Sequence, residues 1–524
     1  MRTLLICLFT SVLAASEKPV ALYPGLGTWH HPIHTRSAEA QKFFDQGLAL
    51  LYGFNRYEAL RSFRKAAELD PDAAMAYWGM AMAQGPYVNM EGDAEYNMKA
   101  SCAAVAAGLK LVGAPEREQS YVRAAATRCP EYRPQPYIDA MRLLVARWPD
   151  DLDALTLYAE SLMIPVRWRW YANDGTPAAG VPEAERALEQ VIRRWPDHPG
   201  ANHLYIHAVE SSRTPERAIP SAQRLMGIMP WAGHMVHMPG HIWLVLGDYE
   251  MAASVNERAV AVDREYLDRT QVTHSGYFPY YVHNLTFIAY ARWMQGRKAD
   301  GLRAGDEIVA ALAPMRENMP EMVDAFNAFA LFGRVRFEDW EGILKIPQPK
   351  ESMPGSLAIW RYARALAFAA RGDKPAAQQE QAALAAIRAG LPAAATIGYN
   401  KAADVLELAL AIVSARLSPA PAEAIPHWRR AVALQDAFNY DEPPDWYYPV
   451  RESLGAALLR AGKPAEAESE FRAGIQRSPR NGRMLFGLME SLRAQGKDDD
   501  AAWVKREFDA AWAKADVKLS LPEL

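Results

Sequence analysis

Two histidine pairs, His203/His207 and His237/His241, stand 34 residues apart, position for position. Within each pair the spacing is i, i+4, which stacks both imidazoles on one face of a helix. Glu210 completes an HxxxHxxE face after the first pair, and His283 stands at the start of a later helical stretch. Packed neighbouring helices lie roughly 8–10 Å apart. Imidazoles reaching from both can therefore share one ion at a Zn–N distance of about 2.0–2.1 Å. The chemistry these spacings imply is metal ligation by His203, His207, His237, His241 and His283. Nitrogen ligation with at most one carboxylate suits a divalent transition metal: Zn(II), Cu(II) or Fe(II). Glu210 fits three roles beside such an ion, as a ligand, as an outer hydrogen-bond acceptor or as the general base of a metalloenzyme. Pro239 must lie in the first turn of its helix, because further in it would break the hydrogen-bond ladder. That puts His237 near an N-cap and leaves its direction open, with His234, in the loop before it, as a substitute ligand. The rival reading is a set of core histidines bonded to carbonyls. Two in-phase pairs, a carboxylate and a fifth histidine favour the metal.

A period of 34 residues belongs to the tetratricopeptide repeat, a helix–turn–helix unit. Gly47, Ala59, Phe63, Ala66 and Pro71 fall at its positions 8, 20, 24, 27 and 32. Gly455, Gly462, Ala467, Phe471 and Pro479 fill positions 8, 15, 20, 24 and 32 of another repeat. Gly240, Trp243, Gly247, Ala252 and Ala259 fit positions 8, 11, 15, 20 and 27 of a third. Small residues let paired helices approach, large ones fill the gap, and proline stops the second helix. Strand signals are almost absent, so the fold class is all-α, an α-solenoid of divergent repeats. Residues 85–93, 165–182, 270–281 and 418–426 read as inserted loops. Residues 346–355, with three prolines, read as a linker. The expected division is an N-terminal array, 36–345, carrying the histidines, and a C-terminal array, 346–524. First helices of such repeats line the concave surface, so the histidines are expected inside a groove.

Residues 1–15 have the form of a secretory signal, with Arg2, an apolar stretch 4–13 and small residues at Ala14, Ala15 and Ser16. The mature chain is then exported, periplasmic or secreted. No other apolar run approaches the ~20 residues needed to span a bilayer, so no membrane insertion is expected. Half the residues are apolar and the net charge is -4, which leaves no electrostatic footprint for nucleic acid. Cys102 and Cys129 remain after cleavage. They either pair or stay as buried thiols, and without a CxxC there is no thiolate metal or redox motif. Residues 16–35 form an arm whose Trp29, His30, His31 and His34 either cap the site or are a flexible lead-in.

Aromatic clusters offer a second kind of surface. Trp168 and Trp170, Tyr281, and Arg451 one turn into a helix are the candidates for gripping a small molecule, peptide or protein in the groove. The competing readings are loop packing for the aromatics and a carboxylate partner such as Glu442 for Arg451.

Several blocks carry a resemblance: Asp70-Pro71 with Ala74 to Gly79, His203 to Glu210, Gly233 to Ile242, Tyr280 to Asn284, and Glu442 to Arg451. With them the chain resembles a family of large exported bacterial tetratricopeptide proteins of mostly unknown function, over nearly the whole mature length. It departs from that pattern at Gly240, where a serine is usual. The resemblance implies the repeat fold and a dedicated site, and no established reaction. Two functions are therefore carried forward, a metalloprotein with possible enzymatic chemistry and a non-catalytic scaffold binding peptides or partner proteins.

Overall fold

The computed structural model describes residues 18–89, 97–272, 276–317 and 320–524. The candidate signal lies outside them, as does part of the 85–93 loop. Among the described residues the chain is an all-α solenoid of helix–turn–helix repeats, with each helix packed on its neighbours in sequence. The strands are two-residue pieces, Thr396–Ile397 and Asn400–Lys401, paired antiparallel.

The repeat positions do the packing that their residue types imply. Phe63 lies fully buried between Gly47 and Gly79, where an added Cβ would come within 2.7 and 2.4 Å of its ring. Phe471 fills the same gap between Gly455 and Gly487. Helices in these repeats can approach only because those positions carry no side chain. Cys102 and Cys129 form a disulfide.

The loop expectations need adjustment. Helix Tyr249–Thr270 runs to the edge of the 270–281 stretch, and helix Phe278–Met294 starts inside it, with Pro279 in its first turn. Of 418–426 only the first residues are loop. Helix Pro421–Asp436 begins at its own first-turn proline and contains Pro426. In both, proline opens a helix instead of interrupting one. In 165–182, Asn173-Asp174-Gly175 forms a turn with Gly175 at φ 84°, closed by a bridge between Tyr171 and Pro177.

Two hydrophobic cores run along the solenoid, one from Leu26 to Tyr280 and one from Leu244 to Leu524. They meet on the helices Pro239–Val245 and Phe278–Met294. Ile242 and Tyr280 belong to the first core, while Leu244 and Leu285 belong to the second. The arm is packed rather than loose. Tyr23 stacks on Trp231 at 4.6 Å, and the Gly25 carbonyl accepts from the Trp231 N–H.

Candidate metal centre

The histidines gather where the two cores meet. His203 and His207 lie on helix Pro199–Glu210, and His234 and His237 on the short helix Gly233–His237. His241 follows on Pro239–Val245, and His283 on Phe278–Met294. Pro239 sits in a first turn as expected. It separates the second pair onto two short helices, so His237 ends one helix instead of capping the next. His234, expected in a loop, is helical. The ring of His237 still reaches His241, with the two Nε2 atoms 2.6 Å apart.

Two glycines let the long helix Tyr249–Thr270 come close behind these rings. A Cβ on Gly240 would stand 2.5 Å from the Asn256 amide nitrogen, and one on Gly233 would stand 1.8 Å from Asp263 Oδ1. A serine at position 240 would push on Asn256. That amide is well placed: Asn256 Nδ2 donates to the Ala252 carbonyl, which leaves its oxygen to accept from His237 Nδ1 at 2.6 Å.

Hydrogen bonds at the far nitrogen fix several tautomers. His203 Nδ1 donates to the Tyr52 carbonyl at 2.6 Å, so its Nε2 is bare and faces His234 Nε2 at 3.1 Å. His237, held by Asn256, likewise presents a bare Nε2. Glu210 spans two rings, with Oε1 3.0 Å from His207 Nδ1 and Oε2 2.6 Å from His241 Nδ1. Glu210 thus stands as a shared partner of two rings, with its oxygens also among the possible ligand atoms beside His207, His241 and Glu442. Glu442 Oε1 lies 2.6 Å from the same His241 nitrogen, off the line of a hydrogen bond.

The expected open groove is closed here. His203, His207, His234, His237 and His241 are at most 1% exposed, and only His283 is partly accessible. Phe54 packs on His203, His207 and His234, while Tyr280 packs on His234. Phe287 contacts His237, His241 and His283. Trp168 and Trp170 each lie 5.7 Å from His207, and Trp168 stacks on Tyr399. These tryptophans are buried walls of the cluster. Trp168 holds φ 59°, a left-handed conformation that a bulky residue keeps only when its surroundings impose it. Tyr281 is also buried, its hydroxyl accepting from Arg264. Arg451 pairs with Asp436 and Glu470 rather than with Glu442.

Burial disfavours charge on every ring. It lowers His203 to about 3 and His283 to about 4, and it holds His207, His234, His237 and His241 well below the ordinary imidazole value. Burial and the neighbouring Glu442 raise Glu210 well above the carboxylate range, and burial raises Glu442 to about 8. His207 Nε2 and His234 Nδ1 are buried with no hydrogen-bond partner. A neutral imidazole with an orphaned Nε2, as in His207, fits a transition-metal ion, since a cation supplies the partner that lone pair lacks. Three groups bring ligand atoms within 4.8 Å of one another: His203/His207/His234, His237/His241/His283 and His207/Glu210/His241/Glu442.

Glu442 is the site residue that sequence reading did not assign. Its signal was there in the Glu442 to Arg451 block, but nothing local says that this loop returns to the histidines. Of the arm histidines, His31 is buried against Asp153 in a separate cluster, and His30 bonds Asp45 at the surface.

No protein-family model and no curated protein sequence matches the chain. Among solved structures it is similar to the tetratricopeptide domain of P58(IPK), at 12% identity and TM-score 0.19, covering 88% of this chain and 99% of that one. It is similar to yeast Tom70, at 12% identity and TM-score 0.30, covering 91% of this chain and 92% of the other. A human IFIT1 dimer with m7Gppp-AAAA matches at 10% identity and TM-score 0.32, covering 91% of each chain.

Proposed function

We propose that the protein is an exported metalloprotein whose buried histidine cluster binds a late first-row transition metal, Zn, Cu or Fe. The observation that carries this reading is the set of imidazoles turned toward one another with their far nitrogens held. His203 by Tyr52, His237 by Asn256, and His207 and His241 by Glu210 each direct Nε2 inward. Carbonyls and carboxylates behind ligating imidazoles orient them and raise their basicity. Bound there, an ion would supply Lewis acidity or, for copper or iron, one-electron chemistry. The chain's own part is to orient the rings, exclude water with Phe54, Phe287, Trp168 and Trp170, and hold a proton between Glu210 and Glu442. His283, the most accessible of the six, is the side from which a small molecule would approach. Export is supported by the signal-like N-terminus and by the disulfide, which persists in oxidising compartments.

The test is elemental analysis of untagged mature protein beside a His207→Ala/His241→Ala variant. Bound metal in the first and none in the second, with both helical by far-UV circular dichroism, is the expected result. No metal in either, after exposure to Zn, Cu and Fe, overturns the reading and leaves the non-catalytic scaffold. That alternative would have to use another surface, since Trp168 and Trp170 are enclosed.

A further inference from the structure

Resting on the metal-centre reading, we infer that the cluster is built for two adjacent ions: His203, His207 and His234 hold one, and His237, His241 and His283 hold the other. The two triads share no residue, and in each the ligand nitrogens lie within 4.8 Å of one another. Each consists of an i, i+4 pair plus one histidine from a following helix: His234 for the first, His283 for the second. Three nitrogens with an open position are a complete ligand set for a reactive ion.

The hydrogen bonds divide the cluster along the same line. Nε2–Nε2 approaches of 3.1 Å, His203 to His234, and 2.6 Å, His237 to His241, both fall inside a triad. Two nitrogens on one tetrahedral ion stand roughly 3.3 Å apart at Zn–N distances of about 2.05 Å. His203 and His234 are close to that separation, and His237 and His241 would have to part slightly to admit an ion. Across the divide the rings are neighbours, with His207 and His241 centroids 5.3 Å apart and His234 and His237 5.5 Å apart. Glu210 ties the halves together by giving one carboxylate oxygen to His207 of the first triad and the other to His241 of the second.

Charge sets the chemical class of what binds. Buried charges must be matched. Glu210 and Glu442 supply two negative charges when ionised, which balance two Cu(I) ions. Two divalent ions call for further anionic oxygen donors, such as a bridging hydroxide. All-imidazole triads suit copper and zinc. The rival arrangement places a single ion among His207, Glu210, His241 and Glu442. There the ion must displace the bonds that both Nδ1 atoms already make to Glu210.

The experiment loads chelator-stripped, untagged mature protein with Cu(II), and separately with Zn(II), then measures metal per chain after desalting. His234→Ala, His283→Ala and Glu442→Gln are treated alike, with helicity checked by circular dichroism. The expected result is two ions per chain in the parent and one in each histidine variant. The parent's Cu(II) resonance should be broadened or lost by coupling, and an isolated signal should return in the single-ion variants. Should His234→Ala fail to fold, His283→Ala decides the matter, because His283 is the least buried of the six. One ion in the parent, lost in Glu442→Gln, overturns the two-ion assignment in favour of the quartet and leaves the metalloprotein reading standing. Two ions retained in both histidine variants also overturn the assignment. No ion in the parent with either metal overturns both proposals.

Discussion

Two buried histidine clusters sit in the same N-terminal half and solve the problem of a buried imidazole in opposite ways. Around Asp153, one carboxylate collects donors: Trp29 Nε1, the Tyr52 hydroxyl at 2.5 Å, His31 Nδ1 at 2.7 Å and His198 Nε2 at 3.2 Å. His198 Nδ1 meanwhile caps helix Pro199–Glu210 by accepting from the Ala201 N–H. In the six-histidine cluster, rings face rings and nitrogens are orphaned. Burial alone would lower His31, but the hydrogen bond and charge of Asp153 outweigh it and raise that ring. Burial would raise Asp153, but the bonds from His198 and His31 hold it far below the usual carboxylate range. The six rings next door move the other way because burial outweighs every contact they make and, for most of them, neighbouring imidazoles add to it. His31, Asp151 and Asp153 also bring ligand atoms within 4.8 Å of one another. Asp153 is taken by protein donors and Asp151 Oδ1 by Tyr121 and the Ala154 N–H. His31 Nε2 and Asp151 Oδ2 are buried without hydrogen-bond partners here too. What separates this cluster is the carboxylate charge facing His31, and on that ground we read it as a clamp holding the arm to the solenoid. A buried histidine is thus ligand-seeking or structural according to what stands opposite it.

The comparison can be broken most decisively at the six-histidine cluster. His207→Ala/His241→Ala should remove all bound metal and keep the helical far-UV spectrum, whereas Asp153→Ala should leave metal content unchanged. At the clamp, Asp153→Ala should cost about 3–5 kcal/mol in chemical denaturation, because it strands several buried donors. A small cost there would mean the arm is held by other contacts.

The pH dependence of that cost follows from the signs of the shifts. Asp153, lowered in the folded state, contributes stability above its unfolded value of 3.8 that is lost as pH falls. His31, raised in the folded state, contributes stability below its unfolded value of 6.5 that is lost as pH rises through the raised one. The stability difference between the parent and Asp153→Asn should therefore peak between these two values and shrink on either side. A difference in urea melts that stays flat from well below 3.8 to well above 6.5 would dissolve the proposed pairing.

The disulfide is part of neither cluster. Replacing Cys102 and Cys129 by serine should cost about 3 kcal/mol with metal content unchanged, and loss of metal would instead show that the two halves are coupled through the fold. The smallest effect belongs to Glu442→Gln. It should keep the ions and weaken affinity about 10–100-fold, the usual range for a group behind the ligands, as read by competition with a chelator.

Much of this was legible along the chain because it is local. Helical periodicity, the small and aromatic positions around Phe63 and Phe471, and prolines at helix starts are set within a few turns. The i, i+4 spacings are likewise local, even though Pro239 splits the second pair between two short helices, so His203, His207, His237, His241 and His283 could be named together. The sequence by itself thus determined the solenoid and the residue types available for a site. Tertiary structure alone decided that the groove is filled and that His234 is a full member beside Phe54. It also made Glu210 a bridge between rings, brought Glu442 back from the second half, and turned Trp168 and Trp170 into walls. Those outcomes depend on which distant loops close over the junction of the two cores, and that closure is fixed by long-range packing, which leaves no periodicity in the sequence to read.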